Sequence, residues 1–224
     1  MKRYLLVLLC IALSCNQPDN GYIQAFTEHY KGDSLYTDTG VTTGEVTPAY
    51  LQKKRRLERL FGLTYLEHGF DSLAIRLWAG LLPGRTPPAQ VFNIQNVKGK
   101  WSGELISYRF TYNDNFSNDE IDSTKIVERK SIQPAGGWTL FINTITELGI
   151  LSMPDATKVP GYPNAMDVGF VTIEIATRNV YRCYRYQDPY GFRNRNTEAA
   201  QMGKILGAFE QAFSVFIFEK RTNE

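Results

Sequence analysis

Histidine is scarce in this chain, which removes the residue on which many catalytic and metal sites depend. The 224 residues contain two histidines, His29 and His68. No His-x-x-x-His, Cys-x-x-Cys, phosphate-loop or Gly-x-Ser-x-Gly pattern is present. His68 and Asp71 have a spacing that any turn can produce, and no third ligand or nucleophile accompanies them. The sequence therefore predicts no metal, no cofactor and no catalytic residue, and His68 is interpreted as a surface residue.

Cysteine is also scarce, with residues only at positions 10, 15 and 183. No disulfide framework is predicted, so the protein must be stabilised by its core, and its length is sufficient for one. Cys183 is interpreted as a small buried side chain on an apolar strand face. A thiol nucleophile is the alternative, although apolar surroundings raise the pKa of a thiol.

The apolar run at residues 4–13 is too short to cross a bilayer as a mature helix. It follows Lys2 and Arg3 and ends in small residues, which is the arrangement of an export signal. Cys15 comes next, so the segment resembles a bacterial lipoprotein signal, in which this cysteine becomes the new N-terminus and carries the lipid. Ordinary secretion with cleavage after Ser14 is the alternative.

The chain without that signal has no net charge. The full chain has 25 Lys and Arg against 23 Asp and Glu, and residues 1–14 contain two of the basic residues and no acidic one. The mature chain is therefore balanced, since 25 − 2 = 23. A balanced chain is not attracted as a whole to nucleic acid, so no nucleic-acid partner is predicted.

Composition and periodicity divide the chain into four parts. Residues 1–14 are the signal, residues 15–46 a tether without a lasting period, residues 47–219 a single domain, and residues 220–224 a tail. The tether would space the domain from the membrane.

Within the domain, apolar periodicity predicts an α+β fold. Strands are expected near residues 71–79, 90–96, 101–112 and 125–132, the last near an edge, and helices near 48–61, 137–148 and 198–216. The acidic stretch 113–123 departs from the calcium-loop pattern and is interpreted as a polar loop. These elements predict an antiparallel sheet of about five or six strands with helices packed mainly on one face.

The first helix carries five basic residues opposite its apolar stripe. One interpretation is an ordinary solvated face, and the alternative is a contact with anionic lipid near the anchor. The residues are Lys53, Lys54, Arg55, Arg56 and Arg59.

The segment 167–187 predicts a β-hairpin with a three-residue turn at 177–179. This turn pairs Ala176 with Val180 and sets Glu174 opposite Arg182. A two-residue turn, the alternative, would set Glu174 against Cys183.

In the three-residue register, one hairpin face is apolar and the other carries aromatic and charged side chains. If helices cover only one face of the sheet, the second face is open to solvent and suits a protein or carbohydrate ligand. The same side chains could instead pack under a helix or loop. This candidate binding face consists of Phe170, Glu174, Arg182, Tyr184 and Tyr186.

Two parts of the chain resemble uncharacterised exported lipoproteins of Bacteroidetes-type bacteria. They are Cys15 after its signal, and the run FVTIEIATRNVYRCYRYQDP before an amphipathic C-terminal helix. The resemblance implies a cell-envelope location, with the lipid in a membrane facing the periplasm or the cell surface. It implies no activity and no site residue.

The sequence favours a membrane-anchored envelope protein that acts as a binding or interaction module. One alternative is an envelope hydrolase with paired carboxylates, because two such acids can lie far apart in the sequence. Another is an immunity-type inhibitor of a toxin. Neither the ligand nor the oligomeric state follows from the sequence.

Overall fold

The computed structural model describes residue 24 and residues 48–80, 88–111, 123–163 and 168–218. The predicted signal, Cys15, the tether apart from residue 24, His29 and the tail lie outside these residues, as does most of the polar loop 113–123.

The domain is built on one six-stranded antiparallel sheet with the strand order β4-β3-β2-β1-β5-β6. The strands are β1 (Leu73–Ala79), β2 (Ala89–Val97), β3 (Lys100–Thr111), β4 (Ser123–Ile132), β5 (Phe170–Ala176) and β6 (Tyr181–Gln187). The predicted α+β class is confirmed, and β4 lies at an edge as expected.

Helices cover both faces of this sheet, with the larger share on one of them. They are α1 (Pro48–Phe61), α2 (Gly137–Glu147), the single turn α3 (Pro189–Phe192) and α4 (Thr197–Phe213). Helices α2 and α4 pack on the first face, against Leu73, Ile75 and Leu77 of β1. Helix α1 packs on the second face.

The first face holds the larger core because apolar side chains alternate along the strands and recur at helical spacing along α4. Met202, Ile205 and Phe209 of α4 are fully buried. The ring of Phe209 meets that of Phe141 from α2 edge-on, with 5.1 Å between centroids, and meets that of Phe92 from β2 at 5.4 Å.

The register of the β5–β6 hairpin differs from the prediction by one residue. Ala176 pairs with Tyr181 and Glu174 pairs with Cys183. A four-residue connection closes the hairpin, with the Thr177 amide donating to the carbonyl of Val180 at 2.8 Å. The three-residue turn, and with it the pairing of Glu174 with Arg182, is wrong. The observed register is that of the two-residue alternative, with Arg178 and Asn179 between Thr177 and Val180.

A shift of one residue moves every side chain of one strand to the other face of the sheet. Arg182, Tyr184 and Tyr186 therefore share a face with Ile173 and Ile175, under α4. Glu174 shares the opposite face with Tyr181 and Cys183, under α1 and the turn that follows it.

Candidate functional site

The five residues predicted to form a solvent-exposed binding face do not lie together on an exposed surface. Glu174, Tyr184 and Tyr186 are fully buried, and Arg182 and Phe170 are half-buried. Glu174 and Phe170 lie on one face of the sheet and the other three residues lie on the opposite face. The prediction of a shared exposed face is wrong because helices pack on both sides of the hairpin.

The polar groups on one side of this hairpin are occupied by the loop after α2. The hydroxyls of Tyr184 and Tyr186 donate to the carbonyls of Ile150 and Pro154, at 2.5 and 2.7 Å. Arg182 donates to the carbonyls of Leu151 and Met153 at 2.6 and 2.7 Å. These side chains therefore attach a loop to the sheet, and they do not present a binding surface.

The same loop covers the outer edge of β6. Asp155 accepts a hydrogen bond at 2.9 Å from the backbone amide of Arg185, so a carboxylate stands where a further strand would pair. Asp155 is held in place by the amide and hydroxyl of Thr157. At Arg185, Asp155 therefore blocks the pairing of a further strand with β6.

A buried ion cluster lies between the second face of the sheet and α1. It consists of Lys54 and Glu58 from α1, Glu67 from the 3₁₀ turn Leu66–His68, Arg76 from β1 and Glu174 from β5. All five residues are buried, and Lys54 is 2% exposed. Charged side chains are almost never fully buried unless they are paired, so their partners decide whether the cluster is stable.

The ammonium group of Lys54 is the centre of this cluster. It donates to an oxygen of Glu174 at 2.9 Å, of Glu58 at 3.0 Å and of Glu67 at 3.1 Å. An ammonium group has three N–H donors, so the three glutamates use all of them.

Arg76 supplies the second cation. Its Nη1 donates to Glu58 at 2.5 Å and lies 3.6 Å from Glu174. Its Nε donates to the side-chain oxygen of Asn93 at 3.1 Å, and its Nη2 donates to the carbonyl of Thr64 at 3.0 Å. Each nitrogen of the guanidinium thus has an acceptor, which offsets part of the cost of burial.

Glu174 is the most extensively hydrogen-bonded acid of the cluster. The indole of Trp78 donates to its Oε2 at 2.6 Å, and the hydroxyl of Tyr181 donates to its Oε1 at 2.8 Å, beside Lys54. Burial raises the pKa of Glu174, but Lys54 and Arg76 outweigh this effect and lower it to about 2. The carboxylate is therefore held in its ionised form.

Glu58 differs from the other two acids. Burial and the charge of Glu174 raise the pKa of Glu58 to about 8, although Lys54 and Arg76 act in the opposite direction. Its Oε1 accepts from both cations, and its Oε2 has no hydrogen-bond partner among the described residues. A proton on this oxygen leaves two cations against two anions, which balances the charge of the cluster.

The pKa values of Lys54 and Glu67 shift in the directions expected for paired groups. Burial lowers the pKa of Lys54, but the three carboxylates outweigh it and hold the pKa above its usual value. Burial raises the pKa of Glu67, but Lys54 and Arg55 outweigh it and hold that pKa below its usual value. Arg55 donates to Glu67 at 2.8 Å from the half-exposed rim of the cluster.

The three carboxylates have the spacing of a metal site. One oxygen from each of Glu58, Glu67 and Glu174 lies within 4.8 Å of the other two. The ammonium group of Lys54 bonds to all three, so the position that a cation would take belongs to the protein's own side chain. The geometry fits an internal counter-ion, and it supports a structural role for the cluster.

Cys183 is buried and His68 is exposed, as predicted, but Cys183 lies on the face of Glu174 and not on the apolar face of Ile173 and Ile175. Cys183 is buried beside Tyr181, and burial together with the charge of Glu174 raises the pKa of its thiol to about 12. Such a thiol does not form the thiolate that a nucleophile needs. His68 is exposed, with its ring 5.9 Å from that of Tyr65, and Asp71 pairs instead with Arg178 at 3.0 Å.

The open edge of the sheet is the strand β4. Its residues 125–131 are all exposed, and Val127 is 56% exposed. A bulge at this residue shifts the register against β3, between the pairs Tyr108–Ile126 and Ser107–Glu128. In the described part of the chain β4 pairs with β3 alone, and no other strand lies at its outer side.

No protein-family model matches the chain, and no curated protein matches it. Within the described residues, no helix has both the length and the apolar character needed to span a membrane. The assignment of a function therefore depends on the sequence features and the geometry given above.

Proposed function

We propose that this protein is a lipid-anchored protein of the cell envelope that acts as an interaction module, and that β4 pairs with an extended segment of a partner protein. Cys15 after its export signal supports the anchor. A folded domain on a tether can then act on partners near the membrane by binding them.

The observation that carries the interaction is the contrast between the two edges of one sheet. The edge at β6 is covered by a loop, and Asp155 occupies the amide of Arg185. The edge at β4 runs from Ser123 to Ile132 without such a cover among the described residues. Exposed strand edges are the surfaces at which extended peptides add by main-chain pairing.

The side chains along β4 set limits on the partner strand. One side of the strand carries Lys125, Glu128 and Lys130, and the other carries Ile126 and Arg129. Arg129 is already held by both oxygens of Glu104, at 2.6 and 2.8 Å. Charged residues on an edge oppose indiscriminate pairing, so the expected partner is a specific segment with complementary charges.

The hydrolase alternative is less well supported. The structure does bring acidic side chains together in the ion cluster, but each carboxylate is buried and bonded to Lys54. A catalytic acid or base must reach the substrate within hydrogen-bond distance, which these buried groups do not. An immunity-type inhibitor would be one form of the proposed interaction, with a toxin as the partner.

The test of the anchor is mass spectrometry of the mature N-terminus from the native host. A diacylated or triacylated Cys15 is the expected result, and Cys15→Ala should release the protein from the membrane fraction. An unmodified N-terminus at residue 15 would overturn the anchor and leave the binding edge to be tested separately.

The test of the edge is site-specific photocrosslinking in cells from Ser131, which is exposed on β4. Val127→Lys should abolish the crosslinked species, because lysine on an edge opposes strand addition. The matched control is Leu140→Lys, which makes the same kind of change at an exposed position of α2 and should leave it intact.

With the crosslinked partner in hand, hydrogen exchange decides how it binds. Strand addition should slow the exchange of β4 amides and leave that of β6 amides unchanged. Crosslinking that survives Val127→Lys, or protection confined to other elements, would refute pairing at β4. Slowed β4 exchange in the protein alone at high concentration would make a second copy the partner.

A further inference from the structure

We infer that the outer face of α1 docks on the surface of an anionic phospholipid membrane and so orients the domain on its anchor. The outer face is defined by Lys53, Arg56, Arg59 and Leu60, all of which are exposed. The inference rests on the proposed anchor at Cys15. It assigns a partner to a second surface of the domain, which is separate from β4.

The outer face is cationic because the ion cluster takes the helix's only acid. Between Pro48 and Phe61 that acid is Glu58, which points inward to Lys54 and Arg76. Lys54 is also turned inward, so the basic run of the sequence is divided between the interior and the surface. Helix α1 contains no second acid, so the charges of Arg56 and Arg59 on its outer side are not neutralised from within the helix.

The geometry of the helix gathers these charges on one side. At 3.6 residues per turn, residues 53, 56, 59 and 60 fall within an arc of about 120° around the helix axis. Arg59 donates from Nε to a neutral group, the hydroxyl of Tyr65, at 3.5 Å. Leu60, 51% exposed, lies among the cations and supplies an apolar side chain for the headgroup region.

Phospholipid is the partner that matches both this chemistry and the position of the helix in the chain. Helix α1 is the first described helix after the predicted tether, and it begins 48 − 15 = 33 residues after Cys15. A lipid anchor already holds the domain within reach of headgroup phosphates, so a weak electrostatic contact is sufficient for docking. Stable membrane binding commonly combines one lipid with a basic patch in this way.

Each basic residue close to an anionic surface favours docking about fivefold. Loss of the three cations should therefore weaken docking on the order of 100-fold. The contact is between solvated charges, so raising the salt concentration should weaken it as well.

The experiment uses the mature chain from Cys15 with a synthetic diacyl group attached at that cysteine. It is inserted into vesicles of phosphatidylcholine, with or without phosphatidylglycerol. An environment-sensitive fluorescent amino acid replaces Leu60 and reports contact with the bilayer. Because the lipid is attached chemically, docking is tested whether or not the cell acylates Cys15. A failure of the docking inference is therefore distinguishable from a failure of the proposed anchor.

The expected result is a blue shift on anionic vesicles that is absent on neutral ones. The combination of Lys53→Gln, Arg56→Gln and Arg59→Gln should remove it. The matched control combines Lys125→Gln, Lys130→Gln and Lys204→Gln, which are also exposed, and should change docking less than twofold. No shift on anionic vesicles, or an equal loss in both variants, would overturn the inference.

Discussion

Replacing Lys54 by methionine is the most direct test of the ion cluster. Methionine keeps an unbranched side chain of similar length and removes the ammonium group that joins Glu58, Glu67 and Glu174. Removing one partner of a buried charge pair costs about 3–5 kcal/mol, because the remaining charge is left uncompensated. We therefore expect the free energy of unfolding of Lys54→Met to fall by about this amount.

Urea denaturation followed by circular dichroism measures this loss. For a domain of this size each kcal/mol lowers the melting temperature by about 2–4 °C, so a total drop of about 6–20 °C is expected. The slope of the free energy against urea should stay constant, since the exposed area does not change. The matched control is Lys53→Met, one residue earlier on the exposed side of the helix, with an expected change within about 0.5 kcal/mol.

The loss in Lys54→Met should also depend on pH. The charge of Lys54 lowers the pKa of all three carboxyl groups, so its removal should raise their pKa values in the folded state. A group whose folded pKa is raised loses stability as the pH rises through that range. The deficit relative to the wild type should therefore be larger at pH 8 than at pH 5. A loss below about 1 kcal/mol, or one equal to that of Lys53→Met, would refute the central role of Lys54.

Three further predictions concern single groups of the same region. The pKa of Glu58 is about 8 in the folded state, against an ordinary value of 4.5. Its contribution to stability is therefore fully present below pH 4.5 and is lost as the pH rises to 8. Glu58→Gln should remove this pH dependence from the midpoints of urea unfolding. Trp78→Phe removes the hydrogen bond to Glu174 and should cost about 1.5–3 kcal/mol more than Trp101→Phe, whose indole N–H has no partner among the described residues. Thermal unfolding compares the two variants. Cys183 should resist a disulfide reagent at pH 8 until urea unfolds the domain, and rapid modification in native buffer would contradict its burial.

The strands and helices were predictable because their apolar residues repeat at local spacings. Leu73, Ile75 and Leu77 of β1 face one core, and Met202 and Phe209 of α4 face it from the helix. An edge position for β4 followed from its charged composition. These signals require only the neighbours in sequence, so no long-range contact had to be known.

The hairpin register was not predictable from the hairpin alone. Sorting apolar with apolar side chains favoured a three-residue turn, because Glu174 was assigned to solvent. Its partners are Lys54 and Trp78, which lie 120 and 96 residues away in the chain. Because these partners make burial of the Glu174 charge possible, Glu174 can lie on a buried face beside Cys183. The tendency of apolar side chains to pair with one another then no longer decides the register.

The sequence does contain a signal of the ion cluster. Lys54 and Glu58 are in helical phase with Leu57 and Phe61, so they fall on the buried side of α1. Glu174 stands in the middle of an apolar strand, as does Arg76 in β1. Opposite charges at inward positions of two strands and a helix indicate a buried network. The many basic residues of α1 instead favoured the interpretation of a solvated helix face.

The different treatment of the two sheet edges has a consequence for self-association. Asp155 stands at the outer side of β6, whereas no such group lies at the outer side of β4 among the described residues. A chain that extends its sheet in one direction can pair with a second copy through the same edge, but the pair then has no free edge left to recruit a third. A pairing of β4 with β4 would therefore close a dimer and leave the two β6 edges, each capped at Arg185 by Asp155, on the outside.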